Sequence, residues 1–177
     1  IEMHRLSVDE FKAASKLPLI VVLDNVRSLH NVGSVLRSCD AFRVEAVYLC
    51  GITATPPSAE IHKTALGAED SVTWKYFAQT TDAINELHAK GTKVYAVEQV
   101  AGSTMLQNLD TEVGTRYAVV LGNEVKGVQQ TVVDLCDGCL EIPQFGTKHS
   151  LNVSVAAGIV VWEFAKKIGK GEEVKRR

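Results

Sequence analysis

The sequence has no surplus of positive charge. Nineteen Lys and Arg face 21 Asp and Glu, a formal net charge of −2. That excludes a global basic field of the kind that draws in nucleic acid, so any anionic partner must be met by a local patch. Also missing is an apolar run of the ~20 residues that span a bilayer. No secretory leader is visible. The expectation is a cytoplasmic protein with no membrane contact. The only cysteines are Cys39, Cys50, Cys136 and Cys139, which in that setting read as reduced core thiols rather than a disulfide framework. Cys136-x-x-Cys139 is half of a zinc or redox motif, but the second ligand pair is absent, and no His/Cys/Asp/Glu cluster has metal-ligand spacing. No metal is expected. Low-complexity boundaries and internal repeats are missing too, and 177 residues suit one domain with a sizeable core. That domain runs over 1–177, with a short helical extension at 1–17 and a basic tail at 168–177.

Several enzyme signatures are absent. There is no G-x-G-x-x-G after a strand, which removes support for an ordinary dinucleotide fold or the common methyltransferase glycine loop. G-x-x-x-x-G-K-[ST] and G-x-S-x-G are missing as well, which counts against a P-loop NTPase and an α/β-hydrolase. His149 and Ser150 are sequence neighbours, which rarely point at each other as base and nucleophile.

What is present is an alternation of strand and helix signals. Ser7 and Glu10 read as a capping box for a helix over Val8–Ala14. Leu19–Leu23 is an unbroken apolar run between Pro18 and Asp24, the pattern of a parallel strand covered on both faces. Val32, Val35, Leu36 and Cys39 keep helical spacing from about Asn31. Further strands are expected at Ala46–Cys50, Lys93–Val97, Tyr117–Leu121 and Leu140–Ile142, with a weak edge strand at Val72–Phe77. Helices are expected at Ser58–Leu66 with Gly67 as stop, through Lys90 from a Thr81 cap with Gly91 as stop, and at Gln129–Leu135. Ser103–Leu109 reads as one helical turn or two. The last helix, Val155–Lys167, is apolar on nearly every side and reads as buried, with Ser150 as its N-cap. The fold class is α/β, a mostly parallel sheet with helices on both faces.

In such sheets ligands bind beyond the carboxyl ends of the strands. Three strand-end loops concentrate polar residues: Asp24–Gly33 with Arg37 on the helix behind it, Gly122–Gly127, and Gly146–Asn152. Gly33, one turn before Arg37, would leave room above it for a ligand. Each loop alone is also ordinary turn chemistry. Together they favour a site.

The ordered trio Asn25-x-Arg27-x3-Asn31-x-Gly33-x3-Arg37, then Val120-Leu121-Gly122-Asn123-Glu124-x-Lys126-Gly127-Val128, then Ile142-Pro143 with Ser150-Leu151-Asn152-Val153-Ser154-x-Ala156 resembles the SPOUT class of RNA methyltransferases. Within it the pattern is similar to the TrmH-like branch, which methylates ribose 2′-hydroxyls with S-adenosyl-L-methionine. Ala65–Glu69 resembles the family more weakly. Arg43 stands where the family has glycine after Ala41-Phe42, and no segment corresponds to the separate N-terminal RNA-binding domain of some members.

The resemblance implies a C-terminal deep trefoil knot and a homodimer whose sites are bordered by both chains. It implies a cofactor held by Leu121, Gly122, Asn123, Ile142, Ser150, Leu151 and Asn152, largely through backbone. It also implies that Arg37 activates the 2′-hydroxyl, with Asn31, Glu124, Ser150 and Asn152 supporting it. Glu124 either accepts a proton or orients Arg37 or a loop amide, and Asn152 either meets substrate or bonds backbone at the helix start. RNA, tRNA or rRNA, is the implied partner. Arg27, His30, Lys63, Lys126 and Lys148 are the candidate phosphate contacts near these loops. No basic stripe interleaved with aromatics points to base-specific reading. The alternative function is an RNA-binding or ribosome-assembly protein on the same scaffold without turnover.

Overall fold

The computed structural model describes residues 5–169. The chain runs α1 (Val8–Ala13), β1 (Leu17–Asp24), α2 (Leu29–Ala41), β2 (Val44–Cys50), α3 (Ala59–Ala65), α4 (Ala68–Ser71), β3 (Trp74–Phe77) and α5 (Thr80–Ala89). It continues with β4 (Lys93–Val97), β5 (Thr104–Met105), a 3₁₀ turn (Leu106–Asn108), β6 (Tyr117–Leu121), α6 (Gln130–Leu135), β7 (Gly138–Glu141) and α7 (Val153–Ile168). The seven strands form one sheet in the order β3-β2-β1-β6-β4-β7-β5. Every pairing is parallel.

The apolar strands sort their side chains by parity, as a sheet covered on both faces requires. Leu19, Val21 and Leu23 of β1 face a core shared with α2 and α7, while Ile20 and Val22 face a second core with α5 and α6. Helix α1 opens on the expected capping box: the Ser7 hydroxyl accepts the Glu10 N–H at 3.1 Å, and the Glu10 carboxylate accepts the Ser7 N–H at 3.3 Å. Position 43, where the resemblance leads one to expect glycine, takes a conformation that suits glycine. Arg43 holds a left-handed backbone, φ +49°, which L-residues adopt at a cost.

Four expectations need correction. Ser103–Leu109 is not a helix of one or two turns: Thr104 and Met105 pair with Leu140 and Glu141 of β7, and only the following three residues curl into a 3₁₀ turn. Thr81 does not cap α5, which starts at Thr80 after Gln79 without a side-chain cap, because the Thr80 hydroxyl is committed to Asp24 at 2.6 Å. Ser150 does not cap α7 either. Asn152 does, its Oδ1 accepting from the Ser154 and Val155 N–H groups at 2.9 and 3.3 Å. Finally, α7 is not buried all round. It packs by Val153, Ala156, Ala157, Val160, Val161 and Phe164, and leaves Val155, Ile159 and Trp162 exposed at i, i+4 and i+7. Of the basic tail, Lys170, Lys175, Arg176 and Arg177 lie outside the described residues.

The thiols divide. Cys39 and Cys50 are buried, as expected, but Cys136 and Cys139 are only half-buried. Burial pushes the Cys50 and Cys136 thiols up to about 12.

Candidate functional site

In the sheet order, β1 leads outward through β2 to β3 on one side and abuts β6 on the other. The carboxyl ends of β1 and β6 therefore flank the reversal in strand order, where parallel α/β sheets open a crevice for ligands. The loops that leave these two strands are the first two polar loops of the sequence.

Asp24, the last residue of β1, is fully buried. Its carboxylate accepts the Thr80 hydroxyl at 2.6 Å, the Gln129 side-chain amide at 2.7 Å and the Gln129 backbone N–H at 2.8 Å. One anion thus anchors the starts of α5 and α6 to the end of β1, and its three donors offset the cost of burying its charge. Asn25 follows in the left-handed region, φ +56°. Its Oδ1 accepts the Ile52 N–H at 3.0 Å and its carbonyl accepts the Asn123 side-chain amide at 2.8 Å. None of these anchors was legible beforehand. Their only signal was a carboxylate closing an otherwise apolar strand.

Gly122 turns the chain out of β6. A Cβ there would lie 2.2 Å from Gly127 C and Val128 N, so only glycine lets the loop fold back this closely. Asn123 and Gly127 exchange backbone hydrogen bonds of 2.9 and 3.0 Å, and Asn123 Oδ1 accepts the N–H groups of Val125 and Lys126 at 2.9 and 3.0 Å. The Asn123 side chain is therefore committed to holding its own turn. This tight loop projects Glu124 toward the loop after β1. There the carboxylate accepts the N–H of Arg27 and the N–H of Ser28, both at 3.0 Å, and Asn31 Nδ2 at 3.3 Å. Burial opposes its charge, but the Ser28 and Arg27 amides outweigh that and hold it below the usual carboxylate value. Glu124 thus orients loop amides and bears no hydrogen bond to Arg37. Asn31 in turn accepts Asn152 Nδ2 through its Oδ1 at 3.3 Å, which carries the chain of contacts to the start of α7. The first, second and third polar loops meet at this one carboxylate and two asparagines.

The segment between β7 and α7 supplies a different surface. Among the described residues, no backbone-to-backbone hydrogen bond involves residues 144–151, and Ser150 and Leu151 are exposed with no side-chain partner. Its peptide N–H and C=O groups stand open to bind a ligand, the donor set expected of a cofactor held through backbone. Sequence-predicted Ile142 lies at its root, directly after β7.

Arg37 sits six residues beyond Asn31 on α2, exposed, and borders a groove of about 450 Å³ with Ser34, Ser38, Ala41, Phe42, Lys63 and Thr64. Gly33 does not leave room for a ligand. A Cβ there would be 2.1 Å from Thr64 Oγ1 and 2.3 Å from the Ile61 carbonyl oxygen, so the glycine serves the close packing of α2 on α3. The cations expected to meet RNA divide into two sets. Lys63 and His30 both contact Glu60, at 2.8 and 3.1 Å. Arg27, Lys126 and Lys148 are exposed and have no ion pair among the described residues.

Fold and site together define a parallel α/β protein whose polar loops after β1, β6 and β7 meet at the strand-order reversal. The chain belongs to the SpoU rRNA Methylase family, whose sequence profile matches residues 18–162. It is 36% identical over 156 residues to the 23S rRNA (guanosine-2′-O-)-methyltransferase RlmB of Nitrosomonas europaea, covering 88% of this chain and 58% of that protein. It is 35% identical over 162 residues to RlmB of Xylella fastidiosa, covering 92% of this chain and 64% of that protein. The chain thus spans less than two thirds of the length of either relative. Among solved structures, the A. aeolicus TrmH/SpoU tRNA modifying enzyme superposes with a TM-score of 0.80 at 26% identity, over 96% of this chain and 84% of its own. An AdoMet-bound rRNA methyltransferase from Sinorhizobium meliloti gives 0.78 at 29% identity, over 86% of this chain and 60% of its own.

Proposed function

We propose that this chain methylates a ribose 2′-hydroxyl of RNA, rRNA or tRNA, using S-adenosylmethionine. The observation that carries the reading is the junction of Glu124, Asn31 and Asn152, which joins the three family motifs at the strand ends, with Arg37 on the same helix as Asn31. S-adenosylmethionine would be held by Leu121, Gly122, Asn123, Ile142, Ser150, Leu151 and Asn152 and would supply an electrophilic methyl group. The work of the chain's own residues is then largely to hold the 2′-oxygen in line with that group. A guanidinium is a poor proton acceptor, so Arg37 serves as a cation beside the developing alkoxide. The displaced proton passes to an RNA phosphate or to water. Glu124 acts as the post that fixes the Arg27–Asn31 loop, rather than as the acceptor of that proton.

Arg27, His30, Lys63, Lys126 and Lys148 are assigned to the RNA backbone. The exposed Val155, Ile159 and Trp162 face of α7 supports a homodimer, and the threaded C-terminal knot belongs to the same reading. Among the described residues no helix is long and apolar enough to cross a membrane, and a cytoplasmic setting is proposed with the RNA substrate.

The test is incubation with methyl-labelled S-adenosylmethionine and deproteinised ribosomal or transfer RNA, followed by alkaline digestion. Ribose methylation removes the hydroxyl that alkali needs, so the label is expected in alkali-stable dinucleotides. Label on a base would overturn the assignment. Cofactor binding with no incorporation into either RNA would favour the binding-only alternative.

A further inference from the structure

We infer that Glu98 is a positioning residue of the cofactor site, acting through the peptide N–H of Val128. This rests on the cofactor assignment proposed above. The strand order places β4 between β6 and β7, so Glu98, the residue after β4, emerges between the two loops assigned to the cofactor. It holds both. Its backbone N–H donates to the Leu140 carbonyl of β7 at 3.1 Å, and its carboxylate accepts the Val128 N–H at 2.6 Å. The short second bond is charge-assisted. Gly127 is shaped for it: its φ is +71°, and a Cβ there would lie 2.3 Å from Glu98 Oε1. The Gly127 carbonyl in turn accepts the Asn123 N–H at 3.0 Å. The carboxylate of Glu98 therefore sets the return limb of the loop whose outgoing limb is Gly122 and Asn123.

Without that anchor the loop after β6 gains freedom that cofactor binding must then remove, and affinity falls. Of the cations assigned to RNA only Lys126 lies on this loop, so RNA affinity changes less than cofactor affinity. An amide oxygen can accept the same N–H, so Glu98→Gln keeps the bond and loses only its charge assistance.

The experiment titrates the full chain and its Glu98→Ala and Glu98→Gln variants with S-adenosylmethionine and S-adenosylhomocysteine by calorimetry. It also measures KM for cofactor and for RNA. For Glu98→Ala, a loss of roughly tenfold in affinity for both ligands is expected, the worth of one net hydrogen bond to a charged group. The cofactor KM should rise in step, and the RNA KM, which draws on Lys126 of this loop and on Arg27, His30, Lys63 and Lys148 outside it, should rise less. Glu98→Gln should recover most of the loss. Wild-type affinity in Glu98→Ala overturns the inference. So does an equal loss in Glu98→Gln, because the charge would then be acting on the ligand itself. Failure of the unmodified chain to bind either ligand overturns the cofactor assignment and this inference with it.

Discussion

Replacing Glu124 by Gln tests the junction of the site and its dependence on charge together. In the native chain one oxygen accepts the Ser28 N–H and Asn31 Nδ2, and the other accepts the Arg27 N–H. Glutamine has one acceptor oxygen, so its NH₂ must face a peptide N–H or turn away. Hydrogen bonds to charged groups are worth about 1.5–3 kcal/mol net where water is excluded. Glu124 is exposed, and water and salt reduce that to about 0.5 kcal/mol for each of three bonds. Glutamine's oxygen keeps the bonds on one side and loses the one or two on the other, so the expected loss of stability near neutral pH is about 0.5–1 kcal/mol. The pH dependence has a definite sign. The folded-state pKa lies below the ordinary value of 4.5, so the native carboxylate stabilises the fold fully above that value and loses its contribution as pH falls through the folded pKa. Urea unfolding of both proteins should show a gap that is constant around neutrality and closes as pH drops below about 4.5. Methyl transfer should suffer more than stability, since Asn31 would lose its post and a misplaced catalytic group can cost on the order of 10² in rate. A gap that persists unchanged into acid, or native turnover by the variant, would refute this account of the junction.

Arg37→Ala is expected to lower kcat by about 10²–10³ while leaving cofactor affinity nearly unchanged, measured by single-turnover methylation and calorimetry. Arg37→Lys should recover little, because an ammonium lacks the planar two-pronged donor. Asn152→Ala should lower stability by about 1 kcal/mol through loss of the α7 cap, whereas Ser150→Ala should leave the thermal midpoint unchanged; scanning calorimetry separates them. Gly33→Ala should cost about 1–3 kcal/mol by forcing α2 from α3, read from urea midpoints, with partial relief if Thr64 is also replaced by Ala.

The strands of the sheet were legible because an apolar run between polar stops has few other places to go in a chain of this size. Their order was not, since nothing within Tyr117–Leu121 says that it lies beside Leu19–Leu23 rather than beside its sequence neighbours. β5 was illegible for a related reason. Two residues carry no period, and Thr104 and Met105 become a strand only because β7 offers them an edge. The α7 cap shows a finer limit. Ser150 and Asn152 are both good cap formers, and the choice is made by the burial of Val153 against the core, which fixes where the helix must begin.

For the candidate site, the motifs picked out loops that the fold brings together, but not what each side chain does. The reason is that its main contacts run from carboxylate or amide oxygen to backbone N–H. Such a bond leaves no partner residue in the sequence to notice. Glu124 on the Arg27 and Ser28 amides, Asp24 on the Gln129 amide and Glu98 on the Val128 amide are all of this kind. All three follow or end a parallel strand, where backbone donors have run out of ladder and need an acceptor. In a sheet of this class, then, an acidic residue at the carboxyl end of an apolar strand is best read first as an anchor for a neighbouring loop. A reacting role has to be argued separately, from what else its oxygens can reach. By that standard Arg37, exposed beside an open groove and held by no carboxylate among the described residues, is the better candidate to meet the substrate, and Glu124 is the residue that sets the loop leading into its helix.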